Sequence, residues 1–133
     1  MIKKLSNLTN EQLAYHCARL AMGVSLFTHG AVRVPKITQF VSGMAKGYEG
    51  TLIGGFPAHA AGYLIVLLEV AVGLSLLIGG RVIRWGLAAG IILMGILMFG
   101  TCLIEKWANL PSQIVHLIIF YLLLINRQTR DKN

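Results

Sequence analysis

Four long apolar runs divide this chain, and they limit its fold more than any other feature. A stretch of about 20 apolar residues can cross a bilayer only as an α-helix, because lipid offers the backbone no hydrogen-bond partners. The first run extends from about Glu11 to Ala31, behind Thr9-Asn10, either of which can cap a helix. The second runs from Pro57, a residue suited to a first helical turn, to Gly79. The third covers about Ile83 to Leu103 and the fourth about Leu110 to Ile125, with Pro111 in its first turn. The expected fold is all-α: a single-domain, membrane-embedded antiparallel four-helix bundle with spans at about 11–31, 57–79, 83–103 and 110–125.

Composition agrees with that class. Of 133 residues, 56% are hydrophobic and only 13% charged, about half the charged share of a soluble domain. The net charge of +7 does not indicate nucleic acid, because the basic residues lie in short connections and at the ends, and no arginine-rich segment alternates with aromatics. The first run is too long, and too polar at His16 and Arg19, for a cleaved signal, and is expected to be a retained span. Cys17 and Cys102 fall toward opposite membrane faces, too far apart for a disulfide, and are expected to pack as small apolar side chains.

The basic residues also set an orientation. Lys3, Lys4, Arg81, Arg84, Arg127, Arg130 and Lys132 fall on one side, against Arg33, Lys36, Lys46 and Lys106 on the other. The positive-inside rule then puts both termini in the cytoplasm, making the chain a multi-pass protein of the cytoplasmic (inner) membrane, with the lipid bilayer as its surroundings. Within the long outer connection, Ile37, Phe40, Val41 and Met44 recur at helical spacing, which predicts a short amphipathic helix on the bilayer or over the bundle. Gly86, Gly90 and Gly100 form a small-residue face on the third span, suited to close helix packing and open to homo-oligomer formation.

Ionisable groups inside apolar runs are costly and mark functional sites by default. Glu69 is the only charge in its run, and Arg19 is buried in the first. At 1.5 Å per residue, Arg19 lies roughly 12 Å and Glu69 roughly 15 Å from the same boundary, within reach of an arginine side chain. An Arg19–Glu69 ion pair is therefore expected, on helix faces shared with His16, Gly23, Phe27 and Gly30, and with His59, Gly62 and Gly73. Toward the outer face, His29, His59, His116, Gln113 and Asn109 can bring imidazole and amide groups to one pocket. That chemistry suits hydrogen bonding to a quinone carbonyl or proton exchange. No metal site is assigned, since no H-x-x-x-H or C-x-x-C step occurs, and the soluble-enzyme motifs G-x-S-x-G, phosphate loop and dinucleotide fingerprint are missing.

The segment "ARLAMGVSLFTHG", with Arg19 and ending at His29-Gly30, resembles the first-helix pattern of the DoxX/DoxD family. "LLEVAVGLSLLIGGRVIRWG" resembles the second-helix pattern, Glu69 matching its acidic residue, Gly73 and Gly80 its glycines, and Arg81 and Arg84 its basic turn. The resemblance covers about residues 12–105 and implies a small four-helix membrane protein. One branch of that family is a subunit of thiosulfate:quinone oxidoreductase, whereas related proteins are assembly or chaperone-like factors. Thiosulfate itself is not the expected substrate, because no soluble domain to handle it is expected within these 133 residues. The leading expectation is a membrane subunit of a redox system, working with a partner redox subunit. It would hold a quinone or similar amphiphile among Arg19, Glu69 and His116, with His29, His59, His16 and Gln113 as further ligand-binding or proton-relay candidates. The alternative is a non-catalytic assembly or chaperone-like protein in which an Arg–Glu pair is a structural clasp. A proton-coupled transporter fits less well, because broken helices and inverted repeats are missing.

Overall fold

A computed structural model describes residues 7–130. Lys3, Lys4 and Lys132, counted in the charge balance above, lie outside the described residues. Among the described residues the regular structure is all helix, with no strand. Helix α1 spans Asn10–Ala31, α2 Ile37–Gly47, α3 Phe56–Ile78, α4 Val82–Leu103, α5 Leu110–Ile125 and α6 Arg127–Arg130, with 3-10 turns at Val34–Lys36 and Trp107–Asn109. The four long helices start and end within a residue of the four apolar runs.

Local chemistry explains most of the ends. Thr9 caps α1 in a reciprocal box: its Oγ1 accepts from the Gln12 amide at 3.2 Å, and its own amide donates to Gln12 Oε1 at 3.0 Å. Pro57 and Pro111 occupy the first turns of α3 and α5, where no amide is needed. Gly79 (φ 82°) and Gly80 (φ 72°) adopt left-handed backbone in succession, and this turns α3 sharply into α4. At the end of α4, Glu105 takes φ 54°, and the Lys106 amide bonds the Thr101 carbonyl at 3.1 Å.

Three helices are long and apolar enough to cross a membrane: Phe56–Ile78, Val82–Leu103 and the stretch Trp107–Ile125. The first helix is not among them, because His16, Arg19 and the polar first turns dilute its apolar content. Helix α3 is central, packing against α1, α2 and α4, and α5 packs on α4. The core comprises Leu76, Val72, Ile83, Leu87, Leu93 and Phe120, all buried.

Glycines set the register. A Cβ on Gly73 would lie 2.3 Å from the Phe27 amide nitrogen, and one on Gly30 would lie 2.6 Å from Val70 Cγ2. Gly23 faces Leu76 and Leu77. These pairs show α1 and α3 running antiparallel in near contact, with Phe27 level with Gly73. Extended along the helices, the same register puts the first turns of α1, up to about Arg19, beyond the end of α3. At the other end, Ala31 is level with Glu69 near the middle of α3. The remaining flank of α3 is covered by α2, whose Val41 and Met44 pack on Gly62. The amphipathic helix thus docks on the protein itself.

Gly86, Gly90 and Gly100 are used within the chain. Gly86 receives Ser75, Gly90 receives Phe120 and Val72, and Gly100 receives the Tyr48 hydroxyl. The glycine face thus serves the close packing expected of it, here within the chain. Cys17 and Cys102 are free, as expected, but both are exposed instead of packed as small apolar side chains.

Candidate functional site

Glu69 is buried, with 4% of its surface exposed, and its partner is Arg33 rather than Arg19. Arg33 Nη1 donates to Glu69 Oε1 at 2.6 Å and to Oε2 at 2.5 Å. The expected Arg19–Glu69 pair fails because it assumed that α1 and α3 start and end level. The observed offset separates Arg19 from the level of Glu69 by about 12 residues of helix, roughly 18 Å. Arg19 instead donates through Nη1 to the Leu76 carbonyl, and to that of Leu77 at 3.4 Å, at the carbonyl end of α3. A cation there satisfies carbonyls that lack intrahelical partners and opposes the helix dipole.

The helical arc through Gly23, Phe27 and Gly30 continues to Arg33, just past the end of α1. The close approach at Gly30 lets the arginine reach Glu69, and its guanidinium carbon also stacks 4.5 Å from the centre of the Phe40 ring. Sequence reasoning missed Arg33 because it lies beyond the drawn span and was counted as a loop charge. Its i+3 spacing from Gly30 was the available signal.

The ion pair lines a cavity of about 450 Å³ between α1, α2, α3, α4 and α5. Its polar lining includes His29, Arg33, Glu69, Asn109, Gln113 and His116. Four of the candidate residues, Glu69, His29, His116 and Gln113, thus meet in one place. Three do not. His59 lies beside Lys46 and Glu49 on a separate surface depression, His16 packs edge-on against Tyr15 at the opposite end of α1, and Arg19 caps α3.

The two histidines of the cavity have defined hydrogen-bonding roles. His29 Nδ1 lies 2.8 Å from the Ser25 carbonyl, and His116 Nδ1 lies 2.7 Å from the Ser112 carbonyl. A carbonyl cannot donate, so each Nδ1 carries the proton. In the neutral ring, each Nε2 is then an acceptor. Gln113 donates through Nε2 to Thr101 Oγ1 at 2.8 Å, while its buried Oε1 has no partner among the described residues. His116 also packs edge-on to Phe120, 6.4 Å between ring centres, which limits how the ring can turn.

A second cavity of about 420 Å³ adjoins the first and shares Met44, Ile65, Leu97, Asn109 and Gln113 with it. Its remaining walls are mostly apolar, including Ile53, Pro57, Ile96 and Phe99. Tyr48 also lines it, and burial pushes its hydroxyl pKa up, so it remains a neutral donor. Together the cavities offer a polar compartment, with acceptors at the two imidazole Nε2 atoms and at Gln113 Oε1, beside an apolar one. No protein-family model, curated protein or solved structure matches this chain.

Proposed function

We propose that the protein is a multi-pass membrane protein of four-helix type that holds an amphiphile, such as a quinone carrier, as a membrane subunit of a redox system. The observation that carries this reading is the polar cavity around Arg33–Glu69 opening onto the apolar one. The head group would lie among His29, His116 and Gln113, and the tail would run along Ile65, Leu97 and Phe99. Glu69, held by Arg33, would accept or pass a proton, and the imidazoles would accept from a hydroxyl. The reduced, hydroxyl-bearing form of a carrier matches these acceptors better than a carbonyl form.

Membrane embedding is supported by the three long apolar helices and by their outward faces. Leu67, Ile92, Leu122 and Ile125 are among many large apolar side chains exposed there. Trp85 and Trp107 are exposed near opposite ends, as in the aromatic belts of membrane interfaces. Helix α1, with α2 above it, would complete the fourth side, leaving the irregular backbone between them facing a cavity instead of lipid. The excess of basic residues beside the termini favours cytoplasmic ends, and the residues quoted above favour membership of the DoxX/DoxD family.

The test is titration of a short-chain hydroquinone and its quinone into detergent-free, nanodisc-reconstituted protein, followed by native mass spectrometry. Saturable binding of the hydroquinone, lost in His116→Ala, is expected. No binding of either form would overturn the proposal.

A non-catalytic assembly role is favoured by a different observation: the Arg33–Glu69 pair ties the end of α1 to the middle of α3. Arg33→Gln and Glu69→Gln impair folding on either reading, but in that case His116→Ala would leave cellular function intact.

A further inference from the structure

At the end of the molecule that carries the termini, α6 folds back against the start of α4. Buried Thr129 holds it there. Its Oγ1 donates to the Leu123 carbonyl at 2.8 Å and lies 2.6 Å from the Tyr15 hydroxyl. This fold-back brings Arg130 to the same cavity as Arg84, a concavity of about 580 Å³ whose other walls are Leu124, Ile125 and Thr129. Arg81 and Arg127 are exposed nearby in sequence, at the two helix junctions that frame it.

Neither arginine of the cavity has an ion-pair partner among the described residues, where Arg33–Glu69 is the only salt bridge. Two guanidinium groups facing one concavity repel each other unless an anion lies between them. Each can grip a phosphate through two parallel N–H donors. The apolar walls beside them offer nothing to a free anion but suit a hydrocarbon chain. Trp85, exposed and 5.7 Å from the Arg84 guanidinium, is the residue type that sits at headgroup level.

We propose that Arg84 and Arg130 bind the phosphate of an anionic membrane lipid, with Leu124 and Ile125 taking the start of its acyl chain. The proposal rests on the membrane reading above, and is independent of the ligand in the central cavity. A lipid held here would cross-link α4 to the α5–α6 corner by neutralising two charges that otherwise oppose the fold-back.

The test uses the full chain in nanodiscs of phosphatidylcholine and phosphatidylglycerol in equal amounts, with retained lipid counted by native mass spectrometry after mild activation. Wild-type protein is expected to retain phosphatidylglycerol over phosphatidylcholine by about thirtyfold, the order that two arginines near a membrane surface supply. R84Q/R130Q should lose that preference, whereas K46Q, which removes a charge elsewhere, should keep it. If the double variant does not fold, the wild-type selectivity alone decides. Soluble glycerophosphoglycerol, the headgroup without chains, should not displace the lipid. Equal retention of both lipids by inserted wild-type protein, or full displacement by the headgroup, would overturn the lipid site. Failure of the chain to insert into nanodiscs at all would overturn the membrane reading with it.

Discussion

Arg33 stands just past the end of α1, yet its guanidinium reaches a carboxylate near the middle of α3. A buried carboxylate left without its partner destabilises a fold by about 3–5 kcal/mol, whereas removing both charges together costs far less. Arg33→Gln is therefore expected to destabilise the protein by about 3 kcal/mol, and R33Q/E69Q to recover most of that loss. Arg19→Met should cost about 1 kcal/mol through lost carbonyl capping, additively with Glu69→Gln. Chemical denaturation in detergent, read by circular dichroism as a double-mutant cycle, measures both; coupling at Arg19 and none at Arg33 would contradict the observed pairing. Glu69 was legible in the sequence as an anomaly, because cost at depth depends only on composition. Its partner was not, because partner choice depends on the offset between two helices, which no single run reveals.

Among the elements, α1 and α3 are held in register by Gly73 and Gly30 more than by any polar contact. Gly73→Ala would push a methyl into the Phe27 backbone, which cannot move as a flexible side chain would. A loss of about 2–3 kcal/mol is expected. Gly95 has no atom within 4 Å of the added methyl, so Gly95→Ala should be neutral or stabilise by up to about 1 kcal/mol. Glu105, in left-handed backbone at the end of α4, invites Glu105→Gly, with a gain of about 1 kcal/mol. Thermal melting of the three variants gives the comparison. Helix limits were readable because prolines, glycines and Thr9 punctuate the chain with known backbone preferences. The docking of α2 on Gly62 was half-readable: its stripe showed a helix with one apolar face, but lipid and α3 satisfy such a face equally. Small-residue faces are ambiguous in the same way, since Gly86 and Gly90 serve contacts within the chain as readily as contacts between chains.

At the scale of the whole molecule, the exposed thiols of Cys17 and Cys102 lie near opposite ends and provide a natural orientation probe. With cytoplasmic termini, a membrane-impermeant maleimide should label Cys102 from outside intact cells and Cys17 only in inverted vesicles. The reverse pattern would contradict the orientation drawn from basic residues. Outer position along the helices grouped His29, His116 and Gln113, which do meet, but by the same argument it also drew in His59, which lies elsewhere; His16 was drawn in by the face it shares with Arg19 on α1. What joins the grouped residues is the mid-height break between α1 and α2, which leaves room for a polar cavity beside an apolar one. The most direct measurement is native mass spectrometry of the protein taken gently from its own membrane, wild type beside His116→Ala. The expected result is a stoichiometric lipophilic molecule with a hydroxyl-bearing head group on the wild type, reduced at least tenfold in the variant. A wild-type protein free of any such molecule, and unable to take up hydroquinone on titration, would contradict it.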